Sequence, residues 1–178
     1  MRRSGLGSNR ILPCLENSTY ELIQYFMNIL FVCTGNTCRS PMAEGFFRHL
    51  CKTKHSKKLI NIQSAGTGAA DGCGASENAI KVLDELGINL RNHRSQKLTS
   101  TLLEWSDLAI AMTQNHFSNI RNLALQIEKK PEIKLLSEFS DKSLGISDPF
   151  GGDLEIYKDC FCEMKKHLCQ LYDRIDKN

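Results

Sequence analysis

The chain has 178 residues, 41% of them hydrophobic, and its 23 Lys and Arg against 20 Asp and Glu leave a net charge of +3. That length fits one domain able to bury a single core without metals or disulfides, and the basic residues are too scattered for a nucleic-acid-binding surface. The eight cysteines are expected to be thiols of a reducing, cytoplasmic compartment, since neither a signal peptide nor a short disulfide-dense scaffold is recognised. The longest apolar runs, Ile29 to Cys33 and Leu108 to Met112, are strand-sized, well short of the ~20 residues of a bilayer span, so no membrane association is expected.

Residues 1–26 mix Gly, Ser, Asn, Arg and Pro and carry none of the later motifs. They read as an appended segment, with Met27 as the expected translation start and residues 27–178 as the domain. Ile29 to Val32 reads as a buried first strand. Pro41 to Cys51 follows with Met42, Phe46, Phe47 and Leu50 at helical spacing, and Leu59 to Gln63 is a second strand. Ser64 to Ala75 is a small-residue loop. Ser76 then caps a helix striped by Ala79, Ile80, Leu83 and Leu86 and closed by Gly87. A helical segment near Thr99 to Trp105 leads into Asp107 to Met112, whose continuous apolarity suits a strand covered on both faces. A helix from Gln114 to Ala124, a strand at Ile133 to Leu136 and a helix from Leu154 to Ile175 complete the series.

This alternation predicts a single α/β domain with a central four-stranded parallel sheet and helices on both faces. Ligands of such sheets sit at the carboxyl ends of the strands, which directs attention to the loop after Val32. It reads Cys33-Thr34-Gly35-Asn36-Thr37-Cys38-Arg39-Ser40-Pro41. The five residues between Cys33 and Arg39 can curl into a nest of inward backbone N–H groups at a helix N-terminus, where the macrodipole favours an anion. Gly35 would permit the bend, and Pro41 suits the first helical turn. At the base of the nest Cys33 is surrounded by groups that favour its thiolate, a nucleophile. Arg39 can grip two phosphate oxygens, and Ser40 can donate to the thiolate. Cys38 either fills the loop or closes a reversible disulfide with Cys33.

The run Val32 to Glu44 resembles the signature of the low molecular weight protein-tyrosine phosphatase family. The resemblance continues through Ser64-Ala65-Gly66-Thr67, His93, Asp107 to Met112 and Asp148-Pro149-Phe150-Gly151-Gly152, covering Met27 to the end. It implies a phosphate-binding loop after the first strand, formed by Thr34, Gly35, Asn36, Thr37, Cys38, Arg39 and Ser40, with Cys33 as nucleophile and Arg39 as phosphate clamp. It also implies Asp148 as the acid that protonates the leaving group and then activates water against a phosphocysteine. Without the resemblance, Asp148-Pro149 would be an ordinary turn. A support network of Asn36, Ser40, Ser64 and His93 follows from the same likeness. By itself His93 is no better a candidate than His49, His55, His116 or His167.

Thr37 stands where tyrosine-specific members carry an aliphatic residue, and a hydroxyl there can hydrogen-bond a guanidinium. Phe150-Gly151-Gly152 lacks a second aromatic, and Ala69 to Gly74 offers no aromatic wall. In both respects the chain resembles the protein-arginine-phosphatase branch, which makes Thr37 and Phe150 the specificity residues and phosphorylated proteins the partners, with phosphotyrosine as the alternative substrate. A monomer with no cofactor and no metal is expected. An arsenate reductase would need a resolving cysteine pair beyond the loop, and none lies in Asp107 to His116. A silent phosphate-binding module would not need Cys33, Arg39 and Asp148 together. A zinc site from Cys160, Cys162, His167 and Cys169 lacks the paired short spacings of structural zinc.

Overall fold

The computed structural model describes residues 26–56, 58–140 and 145–177. Strand β1 (Phe26–Cys33) leads through the loop into helix α1 (Arg39–Thr53), followed by β2 (Leu59–Gly66), α2 (Glu77–Asp84), α3 (Ser100–Trp105), β3 (Leu108–Ala111), α4 (Gln114–Ala124) and β4 (Glu132–Leu135). A single 3-10 turn at Leu136–Phe139 and the long α5 (Leu154–Lys177) complete the chain. All pairings are parallel and the strand order is β2-β1-β3-β4. The expected α/β domain with a four-stranded parallel sheet is therefore present. Because β2 and β3 flank β1 on opposite sides, the topological switch lies at the carboxyl end of β1, where an open α/β sheet leaves a crevice.

Strand alternation divides the core into two layers. Ile29, Phe31 and Cys33 of β1 and Leu108, Ile110 and Met112 around β3 face one layer with α1, α2 and α5. Leu30, Val32, Ala109 and Ala111 face the other with α3 and α4. A strand buried on both sides must be apolar at every position, which is why the runs in β1 and β3 are continuous. Phe31 meets Phe47 edge-on at 5.7 Å between centroids, and Phe46 meets Phe161 at 5.3 Å; such pairs add about 0.5–1.5 kcal/mol each beyond their burial.

Ser76, Thr99 and Thr113 cap α2, α3 and α4 through side-chain oxygens that accept an amide proton from the first turn. Several boundaries differ from expectation: α2 ends at Asp84 and leaves Leu86, expected in its apolar stripe, exposed, and two further differences bear on the site. Ser64, Ala65 and Gly66 are strand rather than loop, because Phe31, Val32 and Cys33 continue the ladder opposite them. Their small side chains reflect crowding against the loop after β1: a Cβ on Gly66 would collide with the Thr34 carbonyl and stand 2.9 Å from Asn36 N. Strand β1 opens at Phe26, one residue before the expected domain start, with Phe26 opposite Leu59. The rest of the appended segment, residues 1–25, lies outside the described residues, as does any start at Met1.

Candidate active site

Strand β1 delivers Cys33, 3% exposed, to the sheet edge, and α1 begins six residues later with Arg39, also 3% exposed. Between them the loop is fastened by its carbonyls. Those of Cys33, Thr34 and Thr37 accept from the amides of Thr67, Gly68 and Ser76 at 2.9, 3.0 and 2.9 Å. The Asn36 carbonyl accepts from His93 Nε2 at 2.7 Å. In a trans peptide the N–H opposes the C=O, so carbonyls tied outward leave N–H groups turned inward as an anion nest. Helix α1 adds its own free amides, since Cys38 at the N-cap gives no side-chain cap and no acidic residue occupies the first turn.

The left-handed residue of the loop is Asn36, with φ 54°, and not Gly35, at which a Cβ would meet nothing closer than 3.5 Å. Asparagine tolerates that conformation better than other side chains, and this one is locked by its amide. Asn36 Nδ2 donates to Ser40 Oγ at 2.9 Å and Ser64 Oγ at 2.8 Å, while Oδ1 accepts from Gln96 N at 2.9 Å. The side chain is fully buried and every polar group on it is satisfied. Ser64 passes its own proton to Glu44 Oε2 at 2.6 Å. Ser40 Oγ accepts from Asn36, lies 3.0 Å from Cys33 Sγ and is within donating distance, 3.3 Å, of the Ala65 carbonyl. The structure therefore brings Asn36, Ser40, Ser64 and His93 together around the loop.

Arg39 is fixed by donation from Nη1 to the Ile146 carbonyl at 3.2 Å and from Nη2 to Asp148 Oδ2 at 2.5 Å. Asp148 hangs over the loop from a turn in which Phe150 N donates to its Oδ1 at 3.3 Å, Gly152 N donates to the Pro149 carbonyl at 2.9 Å and Gly151 takes φ 79°. The resulting cavity of about 230 Å³ is lined by residues 33–35 and 37–39 of the loop and by Asp148 and Phe150. Phe150 is 79% exposed at its mouth. Of the residues expected at the site, Ser40, Ser64, Asn36 and His93 stand behind the loop, and the others line the cavity, Cys38 with its thiol turned away from it.

Four contributors escaped sequence reasoning. Glu44 and Gln96 close the Asn36 network. Tyr157 OH lies 3.0 Å from Cys38 Sγ, and burial with this contact pushes its pKa to about 12; Cys38 is thus turned toward α5 and both loop cysteines are free thiols. His116, 2% exposed, meets Thr34 Oγ1 at 2.8 Å. Burial, and then the charge of Arg39, lower its pKa to about 4. The one legible signal was the Thr113 cap, which sets His116 on the first turn of α4. The cysteine and histidine cluster of α5 does not converge: Cys160 is buried, its thiol raised to about 12 by desolvation, Cys162 is exposed, and His167 Nδ1 meets Ser140 Oγ at 2.6 Å. Among the described residues no three potential ligands gather around a point.

Comparison with known proteins decides the family. The model of the low molecular weight phosphotyrosine protein phosphatase family matches residues 28–178. The chain belongs to this family. A protein-arginine-phosphatase of Bacillus subtilis (strain 168) is 39% identical over 153 residues, covering 85% of this chain and 99% of the relative. Low molecular weight protein-tyrosine phosphatase A of Mycobacterium tuberculosis (strain ATCC 25618 / H37Rv) is 31% identical over 156 residues, covering 85% of this chain and 93% of the relative. Among solved structures, a cysteine-to-serine mutant of YwlE arginine phosphatase with a phosphorylated active site serine superposes with a TM-score of 0.78 at 37% identity, covering 85% and 97% of the two chains. YwlE arginine phosphatase from Geobacillus stearothermophilus gives 0.74 at 36% identity, covering 85% and 94%. Membership makes this low molecular weight phosphatase a hydrolase of phosphorylated proteins. None of its described helices is long and apolar enough to cross a membrane.

Proposed function

We propose that this phosphatase removes phosphate from arginine side chains of proteins. Bound phosphate sits in the nest of loop amides and is clamped by Arg39. Cys33 Sγ attacks phosphorus as the P–N bond breaks, and Asp148 gives its proton to the departing guanidino nitrogen. Water then attacks the phosphocysteine, Asp148 takes a proton from it, and the S–P bond breaks to return the thiolate and release phosphate. Asn36, Ser40, Ser64 and His93 keep the loop in shape, and neither metal nor cofactor takes part in these steps.

The observation that carries the substrate assignment is Thr37. Thr37 lines the cavity, and the Cys38 sulfur at 3.6 Å is the hydrogen-bond contact of its hydroxyl among the described residues. It can therefore accept from a guanidinium N–H at the depth where an isoleucine would pack on a ring. The protein-arginine-phosphatase names of the two relatives at 39% and 38% identity agree with this reading. Phosphotyrosine is the second reading, favoured by Phe150, whose exposed ring at the mouth can pack on an aromatic substrate. The test is kcat/KM for phosphoarginine and phosphotyrosine in matched peptides, in wild type and Thr37→Ile. Preference for phosphoarginine that Thr37→Ile reverses supports the assignment, and a wild-type preference for phosphotyrosine overturns it.

The catalytic unit in this reading is residues 27–178, with residues 1–26 an appended segment. It acts in the cytoplasm, where the seven free thiols of the described residues stay reduced. It acts as a monomer in this reading, in which Leu86 and Leu125 are exposed singly, apart from the neighbouring Phe26 and Leu59.

A further inference from the structure

Thr34 is the exposed member of the phosphate loop, and its hydroxyl is met from behind by an imidazole. His116 Nε2 lies 2.8 Å from Thr34 Oγ1, and His116 Nδ1 lies 2.9 Å from Thr113 Oγ1. Thr113 is the N-cap of α4, so its Oγ1 already accepts the amide proton of His116 at 3.5 Å. A hydroxyl that accepts still has a proton to give, and Nδ1 is the acceptor within reach. With that proton given to Nδ1, the bare nitrogen is Nδ1 and Nε2–H donates to Thr34 Oγ1; a Thr113 oxygen that took Nδ1–H on its second lone pair would give the opposite tautomer. The Thr34 proton is left for the cavity, which Thr34 lines beside Cys33 and Arg39.

We propose that His116 is a positioning residue: its neutral imidazole, held by Thr113, turns the Thr34 hydroxyl into a fixed donor to the phosphoryl group above Cys33. This rests on the reading of the loop as a phosphate site. The opposite tautomer would consume the Thr34 proton on Nε2 and aim only lone pairs at an anion, so the two tautomers make contributions of opposite sign. Neutrality is secured by burial and by the positive charge of Arg39, which outweigh the opposing carboxylate of Asp148 and keep the ring unprotonated at neutral pH.

The test combines two measurements on the full chain. Side-chain 15N NMR of the wild type at pH 7 should find His116 protonated at Nε2. Inhibition by inorganic phosphate is then compared in wild type, Thr34→Val, His116→Phe, His116→Gln and the Thr34→Val/His116→Phe double variant. Thr34→Val and His116→Phe should each weaken phosphate about tenfold, the double should be no weaker than Thr34→Val, and His116→Gln, whose amide can replace the Nε2 donor, should recover most of the affinity. A ring protonated at Nδ1, or losses that add in the double variant, would overturn the role of His116. If His116→Phe does not fold, the NMR result and the Thr34→Val and His116→Gln pair still decide. A wild type that neither binds phosphate nor turns over an aryl phosphate overturns the phosphatase reading itself, whereas phosphate binding without coupling removes only this inference.

Discussion

Arg39 Nη2 and Asp148 Oδ2 stand 2.5 Å apart, so the proposed phosphate clamp and the proposed proton donor hold each other. The pair is asymmetric: the Arg39 side chain is 4% exposed and anchored on the Ile146 carbonyl, while that of Asp148 is 50% exposed. A phosphoryl dianion that grips Arg39 must compete with this carboxylate, and Asp148 is the partner free to swing toward the leaving group. Asp148→Ala is therefore expected to slow turnover by roughly a hundredfold or more while binding inorganic phosphate several-fold more tightly. Calorimetric titration with phosphate checks the second half. Weaker binding in the variant would mean that Asp148 orients the guanidinium rather than competing for its ligand.

Asn36 combines two requirements that substitutions separate. Asn36→Gly keeps a residue at ease with φ 54° but loses the bonds to Ser40, Ser64 and Gln96; Asn36→Ala loses those bonds and adds the left-handed penalty of about 1–2 kcal/mol. Both variants should be less stable by denaturant unfolding, Asn36→Ala by about that further amount, and both should lose at least tenfold in kcat/KM. Equal stability of the two would show that the conformation carries no strain.

How far the site was legible follows from which signals are local. Cys33, Arg39 and the flanking strand and helix are contiguous, so spacing and periodicity identified the loop and the fold around it. The support role of Asn36 came with the family resemblance, but its left-handed conformation was masked by Gly35, because glycine is the customary sign of a bend while the left-handed residue here is held by side-chain bonds that a sequence does not display. Glu44 closes the signature run from Val32 but drew no role there, and Gln96 and Tyr157 reach the loop from the segment after α2 and from α5 with nothing in their own neighbourhoods to mark them. His116 carried only the signature of a first-turn residue behind a threonine cap, and its partner Thr34 is 82 positions away.

Gly66 ends β2 directly beneath the loop, opposite Cys33. An added methyl would collide with the Thr34 carbonyl and come within 2.9 Å of Asn36 N and 2.8 Å of Ala69 Cβ. Two of these neighbours are backbone atoms of the loop after β1, so relief must come by displacing it. Gly66→Ala should lose about 1–3 kcal/mol of stability, as overpacked sites do, and at least tenfold in kcat/KM. A variant with unchanged kcat/KM and reduced stability would show that the strain is absorbed by Ala69 instead.

His116 also predicts how stability depends on pH. Its folded pKa is lowered to about 4 from the ordinary histidine value of 6.5, chiefly by burial, and burial lowers that of His167 as well. A base with a depressed folded pKa binds protons more readily when unfolded, so stability is complete above the unfolded pKa and is lost as pH falls toward the folded one. For His116 that window runs from about 6.5 down to about 4, and the loss by pH 5 is roughly 2 kcal/mol. Urea unfolding at pH 7, 6 and 5 should trace this decline, with His116→Gln flattening it because glutamine takes up no proton. A slope that survives in His116→Gln unchanged would assign the acid sensitivity to other groups, and His167→Gln is then the variant in which it should fall.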